Sequence, residues 1–173
     1  PRNELITHVK AIPELKTERL TLTALREEDI PAYNALVLDT ERNRWWGYDD
    51  VGGLTEPMTE RSFYEVAERD FAARSAVNFA LRLDGQFIGE AVLYRFDFRG
   101  GAELGCRVAP AFAGHSYGTE AFAAVADWAL YRVHLTKVVA KCFRENEASR
   151  KMLSASMRPA GEDETFYYFE KTV

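Results

Sequence analysis

The chain has 173 residues, 47% of them hydrophobic and 13% aromatic, with 22 Lys and Arg against 27 Asp and Glu for a net charge of −5. That length and apolar content suffice for one core-forming domain over 1–173, no apolar run nears the ~20 residues of a membrane span and no secretory h-region opens the chain, so a cytoplasmic protein off the membrane is expected. The acidic balance argues against a nucleic-acid partner, whose binding draws most of its affinity from positive charge, and it suits a cationic acceptor.

In chain order, Leu20 to Leu25 reads as a strand, and Asp29 with Pro31 in the first turn opens a helix. Asp39 to Pro57 is a long connection without helical or strand period. Within it, Glu41 to Gly53 crowds Trp45, Trp46 and Tyr48 beside Asp49 and Asp50; such aromatics plug a loop onto the core or wall a pocket, and the two roles are compatible. Thr59 to Ser75 reads as an amphipathic helix with Phe63, Val66, Ala67 and Phe71 inward. Ala76 to Leu83, the Asp84-Gly85 turn and Gln86 to Tyr94 form a hairpin, and Gly100 and Gly101 then turn the chain into a strand at Glu103 to Val108.

The next stretch, VAPAFAGHSYGTEA at Val108 to Ala121, carries the clearest chemical signal. Pro110 ends the strand, Gly114 and Gly118 permit backbone conformations that other residues resist, and a helix follows with Phe122, Val125, Ala129 and Val133 on one face. The first N–H groups of such a helix lack intrahelical acceptors and sit at the positive end of its dipole, so a phosphate or pyrophosphate is a natural guest. A plain structural connection has the same outline. A Walker loop is excluded, because Gly118 is followed by Thr119 and Glu120, and no GxGxxG occurs.

Lys137 to Phe143 reads as a strand, Glu147 to Ala155 as a helix and Thr165 to Lys171 as a closing strand, so strands and helices mix in the manner of an α/β (α+β) layered domain. Cys106 and Cys142 lie in apolar strand-like runs, as buried reduced thiols do; neither has a neighbouring His to make it a catalytic thiol. His8, His115 and His134 show no metal spacing.

Four segments stand in a telling order: TERLTLTALREEDIPAYNAL (Thr17 to Leu36), FIGEAVL (Phe87 to Leu93), AGHSYGTEA (Ala113 to Ala121) and RENEASRKML (Arg144 to Leu153). Together they resemble the GNAT superfamily of N-acetyltransferases, in the branch of the ribosomal-protein N-terminal acetyltransferases and their small-amine relatives. The resemblance implies a mixed, mostly antiparallel central sheet flanked by helices and splayed at the acetyl-CoA strand. It further implies acetyl-CoA as co-substrate, no metal, and direct transfer of an acetyl group to a primary amine, either a protein N-terminus or a small molecule. A homodimer is the generic expectation for such an enzyme.

By the same resemblance, Ala113, Gly114, His115, Ser116, Tyr117, Gly118 and Thr119 hold the pyrophosphate, mainly by backbone. A backbone N–H of the splayed strand at Cys106 to Val108, that of Val108, holds the carbonyl and the pantetheine arm, Asn146 binds the pantetheine amides, Glu103 is the acid working through water, Ser149 donates to the leaving thiolate, and Trp45, Trp46 and Tyr48 wall the acceptor site. From the residues alone, Asn146 is equally an N-cap for the helix at Glu147, Ser149 a solvated helix serine and Glu103 a strand carboxylate. Ala113 and Ser116 depart from the usual Arg or Gln and Gly; a left-handed Ser116 would cost about 1 to 2 kcal/mol, about tenfold in cofactor affinity. The alternative reading is an acyl-CoA-binding regulatory or binding protein of the same fold with little or no turnover.

Overall fold

The computed structural model describes residues 4–54 and 58–173. Thr55 to Pro57, the end of the expected Asp39 to Pro57 connection, lie outside the described residues. In chain order the elements are α1 (Glu4–Thr7), β1 (Leu15–Lys16), β2 (Thr21–Ala24), α2 (Ile30–Leu38), α3 (Ser62–Ala72), β3 (Ala76–Leu83), β4 (Gln86–Tyr94) and β5 (Gly101–Val108). They continue with α4 (Tyr117–Asp127), β6 (Lys137–Phe143), α5 (Glu147–Ser156), β7 (Arg158–Glu162) and β8 (Phe166–Lys171).

The strands form one sheet in the order β1-β2-β3-β4-β5-β6-β8-β7, antiparallel at every neighbouring pair except β5 with β6. This is the mixed, mostly antiparallel sheet that the sequence implied. The centre of the sheet is covered on both faces, because β3 and β4 are buried along almost their whole length. On one face Phe122, Val125 and Ala126 of α4 and Leu153 of α5 pack with Phe79, Leu81, Leu93 and Leu104 of the sheet. On the other, Tyr33 and Leu36 of α2 and Phe63 of α3 cover Ala80 and Phe87.

Three local departures from the sequence reading have physical causes. Strand β7 escapes periodicity because it is an edge strand with every residue exposed, and Pro159 and Gly161 flank an irregular register. Helix α4 stops at Asp127 and gives way to a π-helical turn over Trp128–Arg132, where the expected helix ran on to Val133. Asp29 precedes α2 but does not cap it with its side chain. Its carboxylate accepts from the Arg26 amide and from both terminal nitrogens of Arg82, at 2.9 and 2.6 Å, in an ion pair with each side chain 4% exposed.

The feature that matters for function lies at the middle of the sheet. Parallel pairing of β5 with β6 covers only Gly101 to Glu103 against Lys137 to Val139, whereas β5 stays paired with β4 as far as Val108. Beyond Glu103 the two strands part and open a V.

Candidate active site

The V exposes backbone. The Ala109 N–H donates to the Ile88 carbonyl oxygen at 2.8 Å, and Arg107 stands opposite Glu90. Antiparallel alternation therefore turns the N–H groups of Cys106 and Val108 away from β4 and into the gap.

The tip of β5 leads through a single turn at Pro110–Phe112 to the start of α4. Gly114 has φ +85°, and Ser116, the residue that caps α4, has φ 63° and ψ 20° with no capping hydrogen bond from its side chain. Among the described residues, the amides of Tyr117, Gly118 and Thr119 meet no internal acceptor, so they form a positive, donor-rich end suited to an anion. Gly118 corrects the sequence reading: it lies inside α4 and not in the left-handed region. Its missing side chain matters for space, since a Cβ there would lie 3.4 Å from Val108 and 3.7 Å from the Cys106 sulfur. The first turn of α4 is fixed by Glu120, which accepts from the Thr17 hydroxyl and from the Arg19 amide and guanidinium. Arg19 also lies 4.5 Å over the Tyr117 ring.

Two cavities meet at the V. One, of about 350 Å³, runs along the α4 terminus and is lined by Arg42, Val108, Ala113, Gly114, Ser116, Tyr117, Gly118, Thr119 and Asn146 among others. The other, of about 160 Å³, is lined by Trp45, Trp46, Gly47, Tyr94, Glu103, Lys141, Phe143 and Phe166. Trp45, Cys106, Ser149 and Met152 belong to both walls. Thus most of the residues that the sequence singled out converge. His115 does not line either cavity; it is exposed and its ring lies tilted against Tyr117 at 5.5 Å. Tyr48 does not line them either. Its ring meets Tyr94 edge-on at 5.6 Å and its hydroxyl donates to Asp70 at 2.5 Å, so it backs the wall.

At the junction, Asn146 does cap α5: its side-chain oxygen accepts from the Ser149 amide at 3.2 Å. Its amide nitrogen also donates to the Ser149 hydroxyl oxygen at 2.9 Å, which leaves the Ser149 proton free to donate elsewhere. Glu103 faces the smaller cavity from the last parallel pair of the V. Its carboxylate accepts from the Tyr94 hydroxyl at 2.8 Å and from Arg95 at 3.0 Å. Burial, and then the Glu103 charge, push the Tyr94 hydroxyl well above its usual range, so it stays protonated and donating.

Sequence reasoning missed what holds the tryptophan loop in place. Arg107, its side chain 2% exposed, donates to Asp50 and to Glu90 at 2.7 Å each and also to the Asn43 side chain. Its guanidinium lies 4.1 Å over the Trp46 ring, which in turn covers Gly105. Glu90 is fully buried and accepts from Asn78 as well. Burial alone would lower the Arg107 pKa, but the charges of Glu90 and Asp50 outweigh it and keep the guanidinium charged. One signal was available: Glu90 is the single charge in the apolar run of β4, a pattern that calls for an opposite partner, and Arg107 stands in the paired strand.

Cys106 stands at the junction, yet burial and the Glu90 charge push its thiol up to about 12. A thiol so raised stays protonated near neutral pH and does not serve as a nucleophile. Among the described residues no group of His, Cys, Asp or Glu could hold a metal ion, and no helix is long and apolar enough to cross a membrane.

The fold has counterparts among solved structures. The chain superposes on RimL, a ribosomal L7/L12 alpha-N-protein acetyltransferase, with a TM-score of 0.77 at 15% identity, covering 100% of this chain and 98% of that one. It superposes on the spermidine N-acetyltransferase of Vibrio cholerae in complex with CoA and spermine with a TM-score of 0.75 at 15% identity, covering 89% and 95%. For Mycobacterium smegmatis RimJ in complex with CoA-disulfide the TM-score is 0.73 at 20% identity, with 93% and 86% covered. At these identities the likeness shows the fold. The sequence model of the acetyltransferase (GNAT) domain matches residues 19–156, and with most of its length so matched this chain belongs to the GNAT acetyltransferase family.

Proposed function

We propose that the protein transfers the acetyl group of acetyl-CoA directly to a primary amine, the larger cavity taking the cofactor and the smaller one the acceptor. The observation that carries this reading is the meeting of the two cavities at the V, where Ser149 and the amides of Cys106 and Val108 converge. When bound, acetyl-CoA supplies an activated thioester carbon for the amine to attack. The residues fit that group: the unpaired amides of Tyr117 to Thr119 suit a pyrophosphate, while the Val108 amide and Asn146 suit the amides of the pantetheine arm.

The remaining roles follow from what each group can give. The Cys106 amide, at the junction of the two cavities, faces the place where negative charge develops on the carbonyl oxygen. Ser149, its oxygen already accepting from Asn146, can direct its proton to a leaving thiolate. Glu103 accepts the amine proton through water. Among the described residues lining the smaller cavity Glu103 is the one carboxylate and there is no histidine, so the acceptor has little help in losing its proton. An α-amine of pKa 7.7 to 8.0 is about 10 to 20% neutral at pH 7, against ~0.04% for an amine near 10.4. Low-pKa amines are therefore the better acceptors, on the pattern of the alpha-N-acetyltransferase neighbour more than the spermidine one.

The test is release of free CoA against a panel of amines, with acetyl-CoA affinity measured by calorimetry. Ser149→Ala should lower kcat about tenfold or more and Glu103→Gln about a hundredfold, both with acetyl-CoA affinity kept. Acetyl-CoA binding without CoA release for any amine would favour a binding protein over an enzyme. Indifference to Glu103→Gln with every acceptor would remove Glu103 from the mechanism.

A further inference from the structure

The acceptor-side cavity holds one cation that the transfer chemistry does not use. Lys141 lies two residues beyond Val139, the β6 partner of Glu103, so its side chain projects from the same face as Glu103 where the strands have parted. Both residues line the smaller cavity. The Lys141 ammonium sits 4.7 Å over the Phe166 ring, and among the described residues no carboxylate comes within ion-pair distance of it. Glu103, the carboxylate on the same wall, is paired with Arg95, and Arg44, which lies 4.9 Å over the Trp45 ring, is not among the residues lining the cavity. A half-buried ammonium in an aromatic cleft has lost part of its water and gained only a ring face, which leaves room for an anionic partner.

Resting on the acetyltransferase reading above, we propose that the acceptor is a small amine that also carries a carboxylate, an α-amino acid or short peptide, with Lys141 binding that carboxylate. The aromatic wall of Trp45, Phe143 and Phe166 then favours an apolar side chain on the acceptor. A polycation is disfavoured, because it would bring a second ammonium beside Lys141.

The experiment compares each acid with its amide: leucine with leucinamide, and leucyl-glycine with leucyl-glycinamide, the two pairs separating an amino-acid from a peptide acceptor. In the amino-acid pair, amidation removes the negative charge and lowers the amine pKa, so free-amine supply works against the proposal. We expect kcat/KM to favour the acid in at least one pair by about tenfold or more. Lys141→Gln should abolish that preference by lowering kcat/KM for the acid far more than for its amide, and Lys141→Glu should turn it toward the amide. Calorimetric titration of acid and amide into the protein with CoA present gives the same comparison without turnover. Equal use and equal binding of acid and amide in both pairs, or a Lys141→Gln loss shared equally by both members of a pair, would overturn the proposal. CoA release from amides and simple amines alone would leave acetyl transfer standing while removing Lys141 from recognition. If acetyl-CoA binds and no amine releases CoA, the transfer reading fails, and the titration still decides whether a carboxylate is recognised.

Discussion

Under the start of α4 the cleft is backbone, with strained or left-handed residues at Gly114 and Ser116 and open amides on the helix; on the aromatic side it is side chain, held by Arg107 between Glu90, Asp50 and Asn43. The two constructions fail differently. A backbone site tolerates side-chain change and loses ligand affinity only when bulk enters the groove. A wall held by buried charge loses stability when one charge goes, because the remaining ions cannot regain water.

The largest expected effect tests the second half. Arg107→Met would strand Glu90, which is fully buried, together with Asp50. Removing one member of a buried ion pair typically costs about 3 to 5 kcal/mol, and urea unfolding should show a loss of that order. Adding Glu90→Gln should recover part of it, since the stranded charge is then removed. A loss below about 1 kcal/mol in the single variant would mean that the loop is held by Trp46 and Tyr48 packing instead, and the contrast between the halves would collapse.

The same contrast explains what the sequence let one read. The α4 side is largely local: strand, turn and helix are contiguous, so its glycine turn could be singled out in advance, while Val108, Asn146 and Ser149 were named from the family resemblance and His115, named with them, does not line the cavity. The aromatic side is assembled from residues far apart in the chain. Asn43, Asp50, Glu90 and Arg107 meet only because β4 and β5 pair in one register and the loop folds back over them. Trp45 and Trp46 were visible by composition, whereas Tyr48 looked alike and turned out to back the wall. Lys141 and Phe166 enter the cavity through the pairing of β6 with β8. No periodicity encodes such a meeting.

The next effect bears on the α4 half. A Cβ at residue 118 would make ordinary contacts, 3.4 Å to Val108, 3.7 Å to the Cys106 sulfur and 3.9 Å to the Met152 sulfur. Gly118→Ala should therefore fold well, gaining up to about 1 kcal/mol of helix propensity, and keep most of its acetyl-CoA affinity. Gly118→Val adds two branches where the groove narrows and should raise the acetyl-CoA Kd by about tenfold or more, with little change in stability. Unchanged affinity in the valine variant would falsify the assignment of this groove to the cofactor.

The smallest effect is the sharpest probe of where strain resides. Ser116 takes φ 63°, its side chain is exposed, and it makes no capping hydrogen bond. A left-handed conformation at a residue with a Cβ is unfavourable by about 1 to 2 kcal/mol, whereas glycine adopts it freely but loses about 0.5 to 1 kcal/mol more entropy on folding. Ser116→Gly should then stabilise the fold by about 0.5 to 1 kcal/mol. From sequence alone the strain was set against cofactor affinity, a tenfold weakening. If the left-handed turn belongs to the folded chain itself, its cost is borne in folding and is the same in the free and bound protein. Urea unfolding and acetyl-CoA titration of Ser116→Gly separate the two accounts. A higher unfolding midpoint with unchanged Kd supports a preformed loop. A tighter Kd with an unchanged midpoint would mean that the turn forms only on binding, and the α4 half of the cleft would then be no more rigid than the aromatic one.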